Sequence, residues 1–287
     1  MQSNSINLSF TATTGLHAEW VIAVVVALFT GYILMGGAAR VAKASEAIVP
    51  FKVGLFFLSA VIILGYHYKS IIPALSLIVK GGFQPLAITG GVLGFGIQQA
   101  MRQATTRSIS TGESGLGTAG ILFGATGSTA PFKDGLMGML SSFISSIACV
   151  VMGLLIVTSG VWNSGQTSSA LASQAFESVF GNLGNWIVMV LSISFGIGVL
   201  VTYSYITKEA WLFLTKNKYA NFFNLIFCLI AFAGPFIPVA KVWDLVELSS
   251  ALMIFLNLFG VMWLLPIIRK GVTTTDTQQP VSKTHEK

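Results

Sequence analysis

Charge is what this sequence has least of. Only 9% of its 287 residues are Asp, Glu, Lys or Arg, and 54% are hydrophobic, whereas soluble domains carry about 25% charged residues. That balance excludes an ordinary soluble domain and points to an integral membrane protein. Cysteine is almost missing too: Cys149 and Cys228 each sit inside an apolar run, with no CxxC spacing. A disulfide framework, a zinc motif and a redox pair are excluded on that spacing, leaving two packing residues. The three histidines, His17, His67 and His285, lie outside the apolar runs. No His/Glu zinc pair, Ser/His pair or Asp pair therefore falls inside a run, and neither a catalytic nor a metal site is expected. The glycine-rich passages lack the GK[ST] ending of a phosphate loop, and Leu116 stands where a nucleophile elbow around Ser114 needs glycine. Residues 1–19 are polar and contain no Lys or Arg, unlike a secretory or transit peptide.

What is present is a succession of apolar runs. A helical span needs roughly 20 apolar residues to cross about 30 Å of hydrocarbon. Seven runs meet or approach that length: 20–37, 49–66, 85–102, 135–158, 183–206, 221–238 and 245–265. Residues 71–83, with Pro73 and Lys80, are too short and read as an outer interfacial helix. The uncharged stretch 160–182 reads as an outer loop with a short helix at 168–180. The domain reading is thus a polar segment 1–19, a transmembrane domain 20–270 and a disordered cytoplasmic tail 271–287. The net charge of +6 belongs to cytoplasmic loops rather than to a nucleic-acid surface. With the first run entering from outside, Arg40, Lys43, Lys52, Arg102, Arg107, Lys133, Lys208, Lys216, Lys218, Arg269 and Lys270 fall inside, while Lys69, Lys80 and Lys241 fall outside. The asymmetry sets the N-terminus out and the C-terminus in. An exported N-terminus ahead of an odd number of spans also leads to the expectation that earlier spans are missing.

The third run is the anomaly. Gly90, Gly91, Gly94 and Gly96 fall within seven residues, followed by Gln98 and Gln99. Gly90 and Gly94 have the small-xxx-small spacing of close helix packing. The full set, with its glutamines, equally fits an unwound helix lining a cavity, the kind that holds substrate and ion in secondary transporters. Both readings stand on the sequence. Glu113 reads either as an interfacial carboxylate paired with Arg107 or Lys133, or with Arg107 as a cytoplasmic gate. On the fifth run, Ser192, Ser194, Gly196, Gly198, Thr202 and Ser204 are packing residues or, as a set, oxygen ligands for sodium. Asp244 and Glu247 are expected near the outer surface and wet, and Asn257, a lone amide deeper in its run, needs a partner.

At these residues the chain resembles the alanine or glycine:cation symporter family. Gly36 to Phe51 is similar to its GGxxRIAxxxExxVPF. Residues 90–102 resemble GGFAGASxxQAxR, keeping Gln99, Ala100 and Arg102. Residues 107–119 resemble RGxFSNEAGLGSA, keeping Arg107, Glu113, Gly115, Leu116, Gly117 and Ala119. Val242-Trp243-Asp244-Leu245 with Leu252, Met253 and Asn257 resembles VWDLxxxxNGLMxxPN. The resemblance implies a partial leucine-transporter-type (APC superfamily) all-α bundle that transports small neutral amino acids such as alanine or glycine by alternating access. Sodium is the implied coupling ion, with no other cofactor, in a multi-pass protein of a bacterial inner membrane with the lipid bilayer as its surroundings. Substrate contacts are then expected at Gly90, Gly91, Gly94, Gly96, Gln98, Gln99 and Tyr203, cation ligands at Ser194 and Thr202, and the gate at Arg107 and Glu113. Members have about eleven spans, so a second chain supplying N-terminal helices is an expected partner. The chain departs from the family at Gly198 and Val199 where Ser-Thr is usual, at Tyr203 where Trp is usual, and at Gly112 and Ser250 where Asn is usual. The competing expectation is a non-transporting membrane subunit, or the remnant of a truncated transporter, with an assembly or regulatory role.

Overall fold

The computed structural model describes residues 1–83, 91–124, 131–166 and 168–277, and among these every regular element is helical. In order they are α1 (Gln2–Thr14), α2 (Glu19–Met35), α3 (Gly37–Tyr66), α4 (Tyr68–Phe83), α5 (Gly91–Gly112), α6 (Thr118–Gly124), α7 (Pro131–Thr158), α8 (Ser168–Phe180), α9 (Asn182–Leu214), α10 (Ala220–Ala233) and α11 (Val239–Thr277). Four stretches are long and apolar enough to cross a membrane: Arg40–Tyr66, Phe132–Thr158, Asn182–Leu214 and Val239–Arg269. Glu19–Met35 and Ala220–Phe236 are shorter apolar helices. Helix α11 continues to Thr277, into the segment expected to be disordered.

The chain divides into two compact units, Met1–Ala100 with Ile147–Leu245, and Met101–Ser146 with Val246–Lys287. The first is organised on α9, whose 33 residues span about 50 Å. One end packs Val188 and Leu191 against Phe56, Ala60 and Ile63 of α3, Leu155 of α7 and Phe176 of α8. Farther along, Ile193, Ile197 and Leu200 meet Ile6 of α1 and Ile22 and Val26 of α2. Beyond them Val201 joins Ile33 and Val41. Where α8 crosses α9, a Cβ at Gly184 would stand 2.5 Å from the Phe176 carbonyl carbon, so the approach requires glycine.

Helix α1 lies in the stretch read as a polar segment ahead of the spans. Its Ser3, Asn4, Asn7 and Ser9 are buried. Asn4 Nδ2 donates to the carbonyls of Gly234 (3.1 Å) and Ile237 (2.8 Å), where a 3₁₀ turn at Gly234–Phe236 follows α10 and leaves carbonyls in need of donors. The polar side chains of α1 are thus structural, closing another helix's end.

The α2–α3 junction explains one of the sequence motifs. Gly37 takes φ +66°, a left-handed value that suits glycine, and the chain reverses there. Arg40 then folds back, donating to the Tyr32 carbonyl at 2.6 Å with its guanidinium 4.4 Å above the Tyr32 ring. Lys208 of α9 donates to the Leu34 carbonyl at 3.3 Å. Two cations therefore complete the end of α2, where the helix dipole is negative.

Lys52 corrects an expectation. The charge pattern places it in a cytoplasmic loop, yet it lies inside α3 and is only 9% exposed. A four-carbon stem buries readily when its ammonium finds a favourable neighbour.

Candidate functional site

The most irregular backbone of the second unit follows α5. Gly91, Gly94 and Gly96 lie in an unbroken α-helix, so the unwinding expected there is not found, and Gly90 lies outside the described residues. Helical hydrogen bonding holds these glycines even though each weakens a helix by about 1 kcal/mol relative to Ala. Gln98 and Gln99 are exposed on the same helix.

The break comes instead at 113–117. Glu113, Gly115 and Gly117 have φ of +51°, +83° and +83°, a run of left-handed residues no helix can carry. Several side chains hold this turn. Glu113 Oε2 accepts from Thr118 Oγ1 at 3.0 Å, and Thr118, at the start of α6, is buried. Ser142 of α7 donates to the Gly112 carbonyl at 2.8 Å. Asn257 of α11 donates from Nδ2 to the Gly115 carbonyl at 3.0 Å, which supplies the partner its lone amide requires. A Cβ at Gly117 would approach Asn257 Oδ1 to 2.8 Å, so the second glycine is needed for contact as well as for φ.

Arg107, one turn before the end of α5, places Nη2 3.9 Å from Glu247 Oε1, with Glu247 only 20% exposed. This corrects the reading of Glu247 as a wet carboxylate. Glu247 and Asn257 are about 15 Å apart along α11, and their partners Arg107 and Gly115 follow in the same order. The end of α5 and the break therefore run parallel to α11. Asn257 lies near the middle of the apolar stretch Val239–Arg269, and so does the break.

The remaining expected residues belong to the first unit, on α9. Thr202 Oγ1 donates to the Gly198 carbonyl at 3.0 Å, and the buried Ser204 donates to Val201 at 2.7 Å. These hydroxyls are satisfied within their own helix, the ordinary fate of Ser and Thr in an apolar helix. Ser194 is half-buried one turn before Gly198, and Tyr203 is half-buried beside Thr202. Ser194, Gly198 and Thr202 recur every fourth residue and share one face. That face meets α3 at Lys52: the ammonium lies 4.9 Å from the centroid of the Phe195 ring, and a Cβ at Gly198 would stand 2.6 Å from Nζ. Sequence reasoning names Glu113 of the 113–117 turn as a gate residue but singles out neither Lys52 nor Glu247 as part of a site. A lysine three residues inside the expected span 49–66 was the signal for the first of these two. Among the described residues no cluster of His, Cys, Asp or Glu fit to hold a metal ion occurs.

Comparison with known proteins gives this arrangement a family. The sequence profile of the sodium:alanine symporter family matches residues 1–287. An uncharacterized transporter of Haemophilus influenzae is 29% identical over 251 residues, covering 86% of this chain and 55% of the relative. The sodium/alanine symporter AgcS of Methanococcus maripaludis is 25% identical, covering 97% and 60%. The probable sodium/glutamine symporter GlnT of Bacillus subtilis is 27% identical, covering 99% and 59%. The chain spans 55 to 60% of the length of these three relatives. The family is one of symporters rather than enzymes, and the long apolar helices are those of a membrane protein. The chain belongs to the sodium:alanine symporter family.

Proposed function

We propose that the chain forms the working part of a cation-coupled carrier for small neutral amino acids such as alanine or glycine. It acts by alternating access in a bacterial inner membrane, on a leucine-transporter-type bundle of about seven spans with the N-terminus out and the C-terminus in. The observation that carries the reading is the 113–117 break inside an apolar helical unit. Irregular backbone at membrane depth is tolerated where it is buried in protein or faces a cavity, and in secondary transporters such breaks hold the substrate. Left-handed glycines turn the backbone out of helical hydrogen bonding, and a zwitterion is recognised by backbone N–H and C=O groups of that kind. Alanine is the substrate named for the relative from Methanococcus and glutamine for one from Bacillus, which sets the panel to test.

In this scheme Arg107, ahead of the break, and Glu113, its first residue, are the gate residues, and Ser194 and Thr202 mark the cation-facing side of α9. Sodium, named in both relatives, is the first candidate for the coupling ion. The test is uptake of labelled alanine, glycine and glutamine by cells deficient in neutral amino-acid uptake and expressing the chain, alongside binding to the purified protein. Accumulation of alanine or glycine, competed by the unlabelled amino acid, is expected. Neither uptake nor binding of any of the three would overturn the reading.

A further inference from the structure

The geometry points to Lys52 as a tethered cation that takes the place of a bound sodium ion on α9. The inference rests on the carrier reading above and changes one of its parts, the occupant of the α9 cation face. A lysine buried within an apolar helix is costly and is by default functional. Lys52 is 9% exposed, and among the described residues no carboxylate forms an ion pair with it. Its neighbours are instead those that suit a positive charge. The face of the Phe195 ring, 4.9 Å away, attracts a cation through its quadrupole and repels a carboxylate. Ser194 and Thr202, the hydroxyls expected to bind the coupling ion, lie one turn either side of Gly198, and Gly198 is where the ammonium sits.

The glycine is part of the device. A Cβ at 198 would stand 2.6 Å from Nζ and 3.7 Å from Cε of Lys52, so any side chain there would displace the ammonium. Residue 198 carries no side chain, and the ammonium fills the space. A charge delivered by a side chain neither dissociates nor depends on the sodium concentration. The same charge stands between α3 and α9, against the Phe195 ring and Gly198, where it draws the two helices together as a bound ion would.

The test uses the purified full chain in detergent, with thermal unfolding followed by intrinsic fluorescence. Sodium chloride is replaced stepwise by choline chloride at constant ionic strength. Wild type should unfold at the same temperature throughout. Lys52→Met, and the double variant Lys52→Met/Gly198→Ser that returns an oxygen to the face, should gain a saturable, sodium-specific rise of about 2–4 °C. An equal sodium response in wild type and variants, including none in either, overturns the proposal. So does a loss of alanine binding in Lys52→Met without any gain of sodium response, which would make the lysine an anchor for the substrate carboxylate. If the variants do not fold, wild type decides alone: its alanine-dependent shift should be the same in sodium and in choline, and a threefold weaker affinity in choline sinks the idea. The sodium titration needs no amino acid, so a protein that fails to bind alanine refutes the carrier reading and leaves this test intact.

Discussion

Replacing Asn4 by Ala removes the amide that closes the turn after α10. Two hydrogen bonds go, to Gly234 at 3.1 Å and to Ile237 at 2.8 Å. Net contributions of about 0.5–1.5 kcal/mol per bond put the loss at roughly 1–3 kcal/mol. Asn4 is 5% exposed, so water cannot readily take over, and the upper half of the range applies to Ile237. The Gly234 carbonyl keeps the Ile237 N–H at 3.3 Å, which tempers its share. At about 2–4 °C per kcal/mol, the unfolding midpoint should fall by roughly 2–12 °C. Intrinsic fluorescence reads the change locally, because Trp20 packs 4.8 Å from Phe236 of the same turn. Asn4→Asp should be worse than Asn4→Ala, since an ionised carboxylate would face two carbonyl oxygens with no proton to donate. An Asn4→Ala midpoint within 1 °C of wild type, or an Asn4→Asp protein as stable as Asn4→Ala, would refute the account of α1 as a cap.

Gly184→Ala should destabilise by about 1–3 kcal/mol through overpacking, and Glu177→Ala should not relieve it, because the atoms met are backbone; denaturation of single and double variants checks this. Gly198→Ala should destabilise wild type and be tolerated beside Lys52→Ala, a coupling of about 0.5–3 kcal/mol visible in a double-mutant cycle. Gly117→Ala imposes a left-handed alanine, roughly 1–2 kcal/mol, and pushes on Asn257; with Asn257→Ala it should weaken alanine binding more than it lowers the unfolding temperature, and unchanged binding by both variants would remove the break from the site. Arg107→Gln should change stability by less than about 1 kcal/mol, given a pair at 3.9 Å with Arg107 39% exposed, and a larger loss in urea titrations would show that the pair bears structural load.

Much of the helical layout is legible in the residues because apolar length is a strong signal. The short helix at Ser168–Phe180 falls where the sequence places it, bounded by a Ser/Gly-rich stretch and Gly181. Asn257 announced its need of a partner, though not which carbonyl it would find. The rest depends on information that composition does not hold. Helix α1 reads as a water-facing segment because its polar side chains satisfy a neighbour some 230 residues away. The stretches 91–96 and 112–117 hold three glycines each, so counting glycines does not say which of them breaks the helix. The turn depends on a left-handed Glu113, which no propensity selects. Lys52 counts as a cytoplasmic charge in any tally by sign, whereas its burial depends on Gly198, far away in sequence.

Asn257 and Glu247 give the break a mechanical consequence. Asn257 holds the break itself through the Gly115 carbonyl, while Glu247, about 15 Å away along α11, meets Arg107 on the helix that leads into it. Sliding α11 by a single residue would carry both side chains about 1.5 Å along the axis, straining the 3.0 Å Asn257 hydrogen bond and parting a pair that already stands at 3.9 Å. Small relative slips are thereby discouraged, and the turn has no independent hinge at this face. Whatever displacement opens or closes the break must carry α11 with it, which makes the longest helix of the chain the lever arm and the five-residue turn its fulcrum.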